Sequence, residues 1–260
     1  MEKNCFFFWP SKLMYVGTAM DTDVHQHHAI QLIMTFNKPF TMKTNTKELK
    51  VMDVIIDSNQ PHNCHVSENT RFILLNIDPL SGIGKILKQK FLFNLGIREL
   101  HRDNTKKFIN KLKLVMKSKE FTSEEVTKIT FQFLAELGGN ALSSKIDSRI
   151  EMILPVIRNR AFENPGIKDL SEICHLSSGR LIHLFTKEVG IPIRRYVLWI
   201  RVMSAIQKVF ESHNLQEAAI DSGFSDAPHF NRTFKKMFGL APTAILKNSQ
   251  IVQGFWNNNI

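Results

Sequence analysis

The residues of this 260-residue chain with the most chemistry to offer are its histidines. His25, His27 and His28 stand together, Gln31 follows, and His62, Cys64 and His65 form a second group. An imidazole can ligate a divalent transition metal or, when neutral, hydrogen-bond inside a protein. Side chains two apart on a β-strand share a face, so His25 and His27 could form one ligand set with His62 on a neighbouring strand. The simpler reading is neutral histidines hydrogen-bonded within a β unit or on its rim; no metal or other cofactor is expected. Nucleophilic catalysis finds little support. Cys64 and the histidines beside it are neighbours in sequence only, because adjacent residues on a strand face opposite ways. The chain has neither a Gly-rich phosphate loop nor a Cys-x2-Cys zinc pair.

Apolar residues make up 43% of the chain and charged ones 22%, which excludes a disordered tail protein and allows one large core or two small ones. Lys and Arg number 34 against 24 Asp and Glu, so the net charge of +10 points to an anionic partner, nucleic acid or a membrane surface. No run approaches the roughly 18 apolar residues of a spanning helix, and the apolar run 5–9 stops at Pro10 without a basic leader or cleavage site. Three scattered cysteines, Cys5, Cys64 and Cys174, do not make a disulfide scaffold. A cytoplasmic protein is expected.

The charge is unevenly spread. Residues 1–80 hold 7 basic and 8 acidic side chains, 81–148 hold 13 and 7, and 149–260 hold 14 and 9. Local patterning changes at similar places. Ile30, Leu32, Met34 and Phe36 alternate, as do Phe40 and Met42, and Ile73, Leu75 and Ile77, which predicts a small all-β unit. After Pro79 apolar residues recur three and four apart, predicting helices over 83–95, 105–116 and 123–137, the last ended by Gly138-Gly139. Lys106, Lys107, Lys111, Lys113 and Lys117 spread around the middle helix and read as solvated surface. Ser143-Ser144 is the expected hinge to the C-terminal third.

That third repeats itself at an offset of 49 residues. Leu181, Phe185, Lys187 and Gly190 align with Phe230, Phe234, Lys236 and Gly239. Each copy has the parts of a helix-turn-helix: a short leading helix (167–175 and 215–222), a cap (Ser177; Ser225 or Asp226), and an amphipathic second helix ended by glycine (178–189 and 227–238). Val197, Ile200, Met203, Ile206 and Phe210 predict one long helix between the copies, able to hold two second helices on successive major-groove turns about 34 Å apart. Leu181, Leu184, Phe185, Phe230, Phe234 and Phe238 are expected in the core. Lys187, Arg194, Arg195, Lys235 and Lys236 follow the helix ends and suit phosphates.

The segment Gly223-Phe224-Ser225-Asp226, with 230–239 and Pro242, resembles the signature of the AraC/XylS family of bacterial transcription regulators. Leu176-Ser177, Arg180-Leu181, Leu184-Phe185, Lys187, Gly190, Tyr196 and Arg201 are similar to that family's first unit. The resemblance implies a seven-helix DNA-binding domain and contact with RNA polymerase when the protein activates. It places Gly179, Arg180, Ile182 and His183, and Ala227, Pro228, His229, Asn231 and Arg232, against bases. By chemistry these are modest readers, because only Arg and Asn offer bidentate recognition, which leaves a share of specificity to DNA shape. Arg201 is alternatively a buried structural arginine. The N-terminal unit resembles the small cupin barrel that often precedes such domains, with His25, His27, Gln31 and His62 at its metal-motif positions. It departs from that pattern where Gln31 replaces the usual Glu and Asn59-Gln60-Pro61 replaces Pro-x-Gly.

The expectation is an α+β two-domain regulator. Residues 1–80 would form a cupin-like sensor for an unidentified small-molecule effector, 81–142 a helical linker that dimerises, and 143–250 a double helix-turn-helix domain that binds double-stranded promoter DNA. It is not read as an enzyme or a membrane protein. The rival reading is a metal-dependent cupin enzyme with a vestigial DNA-binding domain.

Overall fold

The apolar run near the N-terminus forms a strand buried on both faces. In the computed structural model, which describes residues 4–118, 121–140, 145–212, 214–246 and 249–254, strand β1 (Asn4–Trp9) pairs antiparallel with β2 (Lys12–Asp21) across a turn at Pro10. Cys5, Phe7 and Trp9 enter one core while Phe6 stacks on Phe8 from the other side. Strands β3 (Ile30–Thr35), β4 (Phe40–Lys43), β5 (Glu48–Val51), β6 (Asp53–Ile56), β7 (Asn63–Ile77), β8 (Ile97–Glu99) and β9 (Ser249–Gly254) complete the sheet, in the order β8-β6-β3-β7-β2-β1-β9 with β4 and β5 off that path. Pairing is antiparallel except between β1 and β9. The 15-residue β7 pairs with β2 along nearly its whole length, and on its other edge with β4 at its start and β3 through its second half, so only that edge changes partner.

Helices α1 (Gly82–Phe91), α2 (Arg102–Lys117) and α3 (Ser123–Gly138) cover one sheet face. Leu87, Phe108, Leu112, Val126 and Phe133 share a single core with Ile30, Leu32, Met34, Ile73, Leu75 and Ile77. At about 2 kcal/mol for each large side chain taken from water, that contact welds the helices to the sheet. The segment expected to be a linker is thus packed as part of the sheet unit. All six residues of β3 are buried, Gln31, Ile33 and Thr35 as well as the alternating Ile30, Leu32 and Met34. The first helix ends at Phe91, earlier than its spacing suggested, and the chain then adds β8 to the sheet edge.

The chain divides into two compact units, one from the residues before 145 together with those after Pro242, β9 among them, the other from Lys145–Pro242. In the second unit, α4 (Ser148–Asn159) and a 3-10 turn (Ala161–Glu163) precede α5 (Ile167–Ile173), α6 (Ser178–Val189), α7 (Ile193–Ser212), α8 (Leu215–Asp221) and α9 (Ala227–Phe238); the short α10 (Pro242–Leu246) follows. Among the described residues, α4 to α10 are the seven helices the family resemblance implies. The α+β architecture, an antiparallel-sheet unit followed by a helical one, is as expected. The Ser143-Ser144 hinge lies outside the described residues. No helix among the described residues is long and apolar enough to cross a membrane.

One buried ion pair ties α2 to the sheet. Asp53 on β6 is fully buried and accepts from Arg102 Nη1 and, at 2.6 Å, from Thr105 Oγ1. Removing the arginine leaves a carboxylate in the core with one hydroxyl for company. Arg102→Ala is expected to cost about 3 kcal/mol, read as a lowered urea midpoint with unchanged slope.

Candidate nucleic-acid interface and histidine cluster

Each second helix of the repeat is aimed by a left-handed residue in the preceding turn. His175 (φ 53°) turns the chain between α5 and α6, and Gly223 (φ 82°) between α8 and α9. The second helices start 49 residues apart but the leading helices 48 apart, so the second turn is one residue longer than the first. That turn is held by Arg201 of α7, which is buried and donates to Ala161 O at 2.7 Å, Gly223 O at 2.8 Å and Asn164 Oδ1 at 2.7 Å. Burial lowers the guanidinium pKa from its usual value, and no carboxylate is among its partners. Arg201 is therefore the structural arginine, not a DNA contact.

The caps follow. Ser177 Oγ accepts Arg180 N–H, and Asp226, rather than Ser225, accepts His229 N–H at 2.6 Å. That backbone bond, with a weaker contribution from Ser225 and the charges of Arg232 and His229, holds the Asp226 carboxyl below the usual carboxylate range. Pro228 occupies the first turn, where a missing N–H costs no intrahelical bond. Leu181, Phe185 and Val189 bury one face of α6, and Phe230, Phe234 and Phe238 one face of α9. Leu184, expected in the core, is only half-buried. Phe185 packs on Tyr196 and Phe238 on Trp199, which anchors both second helices to α7.

The opposite faces point outward. Gly179, Arg180, Ile182, His183 and Lys187 are exposed on α6, as are Pro228, Arg232, Lys235 and Lys236 on α9. Ala227, His229 and Asn231 are half-buried. His229 has one ring nitrogen within 3.2 Å of Ser225 Oγ and its edge on Phe224, and Asn231 Oδ1 is buried without a hydrogen-bond partner. Chemically, Arg180 and Arg232 can offer a planar fork to guanine and Ile182, 45% exposed, a methyl-sized contact to thymine. Lys187, Lys235 and Lys236 sit in the last helical turns, and Arg194 and Arg195 are exposed at the start of α7, all suited to phosphate.

The N-terminal histidines converge, though not by the route their spacing suggested. His25 and His27 lie outside the regular strands; His25 forms an isolated bridge with His62, closed by His25 N–H to His62 O at 2.9 Å and the reverse bond at 3.0 Å. Ring centroids are 4.3 Å apart for His25 and His62, 5.5 Å for His27 and His62, and 5.7 Å for His25 and His27. Each Nδ1 lies against a backbone carbonyl two residues away: Asp23 O at 2.9 Å, Ala29 O at 3.1 Å and Gln60 O at 2.8 Å. Burial lowers all three pKa values, His62 to about 3, so the rings are neutral and one ligand atom of each lies within 4.8 Å of the others. Gln31 Oε1 is 3.1 Å from His62 Nε2, and Gln31 Nε2 donates to Asn76 Oδ1. Asn76 went unnoticed in the sequence; its signal was a polar residue inside the apolar run 72–77. Cys64 is buried with its thiol pushed up to about 12, while His65 is exposed beside Asp21, so no Cys–His pair exists here.

A repeated, capped helix-turn-helix with outward basic faces defines a DNA-binding class of domain. Residues 170–248 match the family described as "Helix-turn-helix domain". The chain is 26% identical over 125 residues to an uncharacterized HTH-type transcriptional regulator, YidL of Escherichia coli, covering 48% of this chain and 42% of that one. It is 27% identical to the Msm operon regulatory protein of Streptococcus mutans over 42% of this chain and 39% of that one. The chain thus spans about two fifths of the length of these curated relatives. The fold is similar to that of ToxT from Vibrio cholerae, with a TM-score of 0.59 at 14% identity over 91% of this chain and 97% of ToxT.

Two outcomes test this geometry. A Cβ on Gly223 would lie 3.0 Å from both Arg201 Nε and Phe162 Cα at a left-handed φ. Gly223→Ala is therefore expected to destabilise the fold by about 2 kcal/mol, seen in thermal melts. With all three cysteines buried, a thiol reagent at pH 8 should label the native chain slowly and the urea-unfolded chain fully.

Proposed function

We propose that this protein is a sequence-specific DNA-binding transcription regulator acting in the cytoplasm. It reads promoter DNA with α6 and α9, and its N-terminal unit controls it. The observation that carries this reading is the pair of capped second helices, each with its phenylalanine or leucine face buried and its basic face outward. Gly179, Arg180, Ile182 and His183 of α6, with Ala227, Pro228, His229, Asn231 and Arg232 of α9, face the bases; Lys187, Lys235 and Lys236 hold phosphates. The 20-residue α7, about 30 Å long, is a stiff spacer between the two turns. Its chemistry is regulatory and not enzymatic.

The sheet unit acts as the cupin-like sensor, and helices α1–α3 carry the dimer contact. A signal bound in the sheet unit changes how the two reading helices meet the promoter, and an activating form contacts RNA polymerase. Such control requires the signal to bind one arrangement more tightly than the other.

Promoter-fragment binding by the full chain is the test. Arg232→Ala is expected to weaken the preferred site by about 10-fold to 100-fold and relax one base position, whereas Lys187→Ala weakens all sequences alike and lowers the salt slope by about 1. The double change Asn231→Ala with Arg232→Ala should remove the preference set by α9. Equal affinity and equal preference in wild type and double variant would refute α9 as a reading helix.

A further inference from the structure

We propose that the outer edge of β1 is a self-association surface for a second copy of this chain, held shut by the chain's own C-terminal strand β9. In the open form two copies pair β1 against β1, antiparallel about Phe7. Strand β1 is Asn4 followed by Cys5, Phe6, Phe7, Phe8 and Trp9, the last five all buried. Sheet proteins guard an edge with lysine, proline, an inward-pointing charge or a bulge in the edge strand. β1 contains no charged residue and no proline, and it meets β2 over five unbroken pairs. Left open, its outer row of N–H and C=O groups is a template for another strand.

What covers that row is a weak strand. β9 reads Ser-Gln-Ile-Val-Gln-Gly, two apolar residues in six, and ends the sheet. Its pairing with β1 is parallel, the less stable arrangement per residue, and the register slips between Phe6 and Phe7, where Val252 is skipped. β9 holds the edge because it is tethered. A short tether supplies an effective concentration of about 1 mM, roughly a thousandfold above a second copy at about 1 µM. Dilute chains therefore stay closed.

The two-fold pairing is better matched in chemistry. It sets Phe7 against Phe7 of the other copy, Phe6 against Phe8 and Cys5 against Trp9. Cys5, Phe7 and Trp9 belong to the helix-covered core, and Phe6 stacks on Phe8 from the other side, so both faces continue as apolar surface across the junction. The same patch then serves both copies, and each facing aromatic pair adds to the ladder. The helix layer offers a second contact at this margin. Phe131 of α3 rests 6.0 Å from the Trp9 ring yet is 43% exposed, an aromatic surface for the second copy to cover. This edge is separate from any dimer contact carried by α1–α3.

The experiment uses the full chain carrying Gln250→Pro and Ile251→Pro together. Successive N–H groups of a strand alternate sides, so adjacent prolines remove a donor that faces β1 whichever of the two it is. At equal concentration the double variant is expected to sediment at about twice the wild-type mass. Its β1 amides should exchange fast when dilute and slowly once it associates. A free peptide of residues 249–254 at about 1 mM should restore the wild-type mass, and a scrambled peptide should not. If the prolines unfold the chain, Asn4→Cys with Ser249→Cys, register partners in the β1–β9 ladder, tests the same surface from the closed side. Oxidised, that pair locks β9 in place, and the further association that wild type shows near about 1 mM should vanish. An unchanged mass with fast-exchanging β1 amides would overturn the self-association surface, as would association that persists in the oxidised lock. Slow exchange with an unchanged mass, or a doubled mass indifferent to the peptide, would overturn β9 as the cover. Each mass is read against wild type, so the outcome is independent of DNA binding and of the α1–α3 contact.

Discussion

A backbone carbonyl that leaves a helix or strand inside a protein must find a donor, and at three places in this chain cationic or heteroaromatic side chains supply it. Arg201 serves Ala161 O and Gly223 O and thereby fixes the turn that aims α9. Lys90 donates to Leu137 O at 2.7 Å and closes the C-terminal end of α3 over the sheet unit. The three histidines engage Asp23 O, Ala29 O and Gln60 O at the point where β7 begins. The same need that orders the irregular segments also decides what their remaining atoms can do. An arginine with its donors committed to carbonyls cannot reach a phosphate, and a histidine with Nδ1 committed presents Nε2.

Much of the helical unit was legible because its signals are local. The bounds of α6 and α9 follow from apolar residues three and four apart, a capping side chain before the first turn and glycine after the last; Gly190 and Gly239 both adopt the left-handed conformation expected there. The helix α4 was not anticipated, since Pro155 in its interior reads as a break. His175 is harder still. Its positive φ does for the first turn what Gly223 does for the second, but histidine carries no sequence mark of it.

The sheet unit was less legible because its decisive contacts are long-range. Alternation of Ile30, Leu32 and Met34 marked β3 as a strand, yet could not say that both of its faces would be covered. The run 5–9 had no alternation to read, since a strand buried on both sides is apolar throughout. At the histidine cluster, residue types were informative and geometry was not. His25 and His27 come together through an irregular segment bridged to His62, and Asn76 joins only because its strand neighbour is Gln31.

Net charge is the weakest guide to where DNA would bind. The excess in residues 81–148 sits largely on α2, but Lys107 pairs with Glu136 at 2.9 Å and Lys111 donates to Gln132 at 3.0 Å, so part of that excess is answered on the neighbouring helix. Both contacts are exposed and screened by salt, so they do little for stability while still reducing the field α2 presents outward. On α6 and α9 the lysines instead occupy the last turns, where the helix dipole favours cations and where a backbone phosphate beside a groove-bound helix would fall. Placement relative to a helix axis, rather than the count of lysines, is what separates a DNA-facing surface from a merely soluble one.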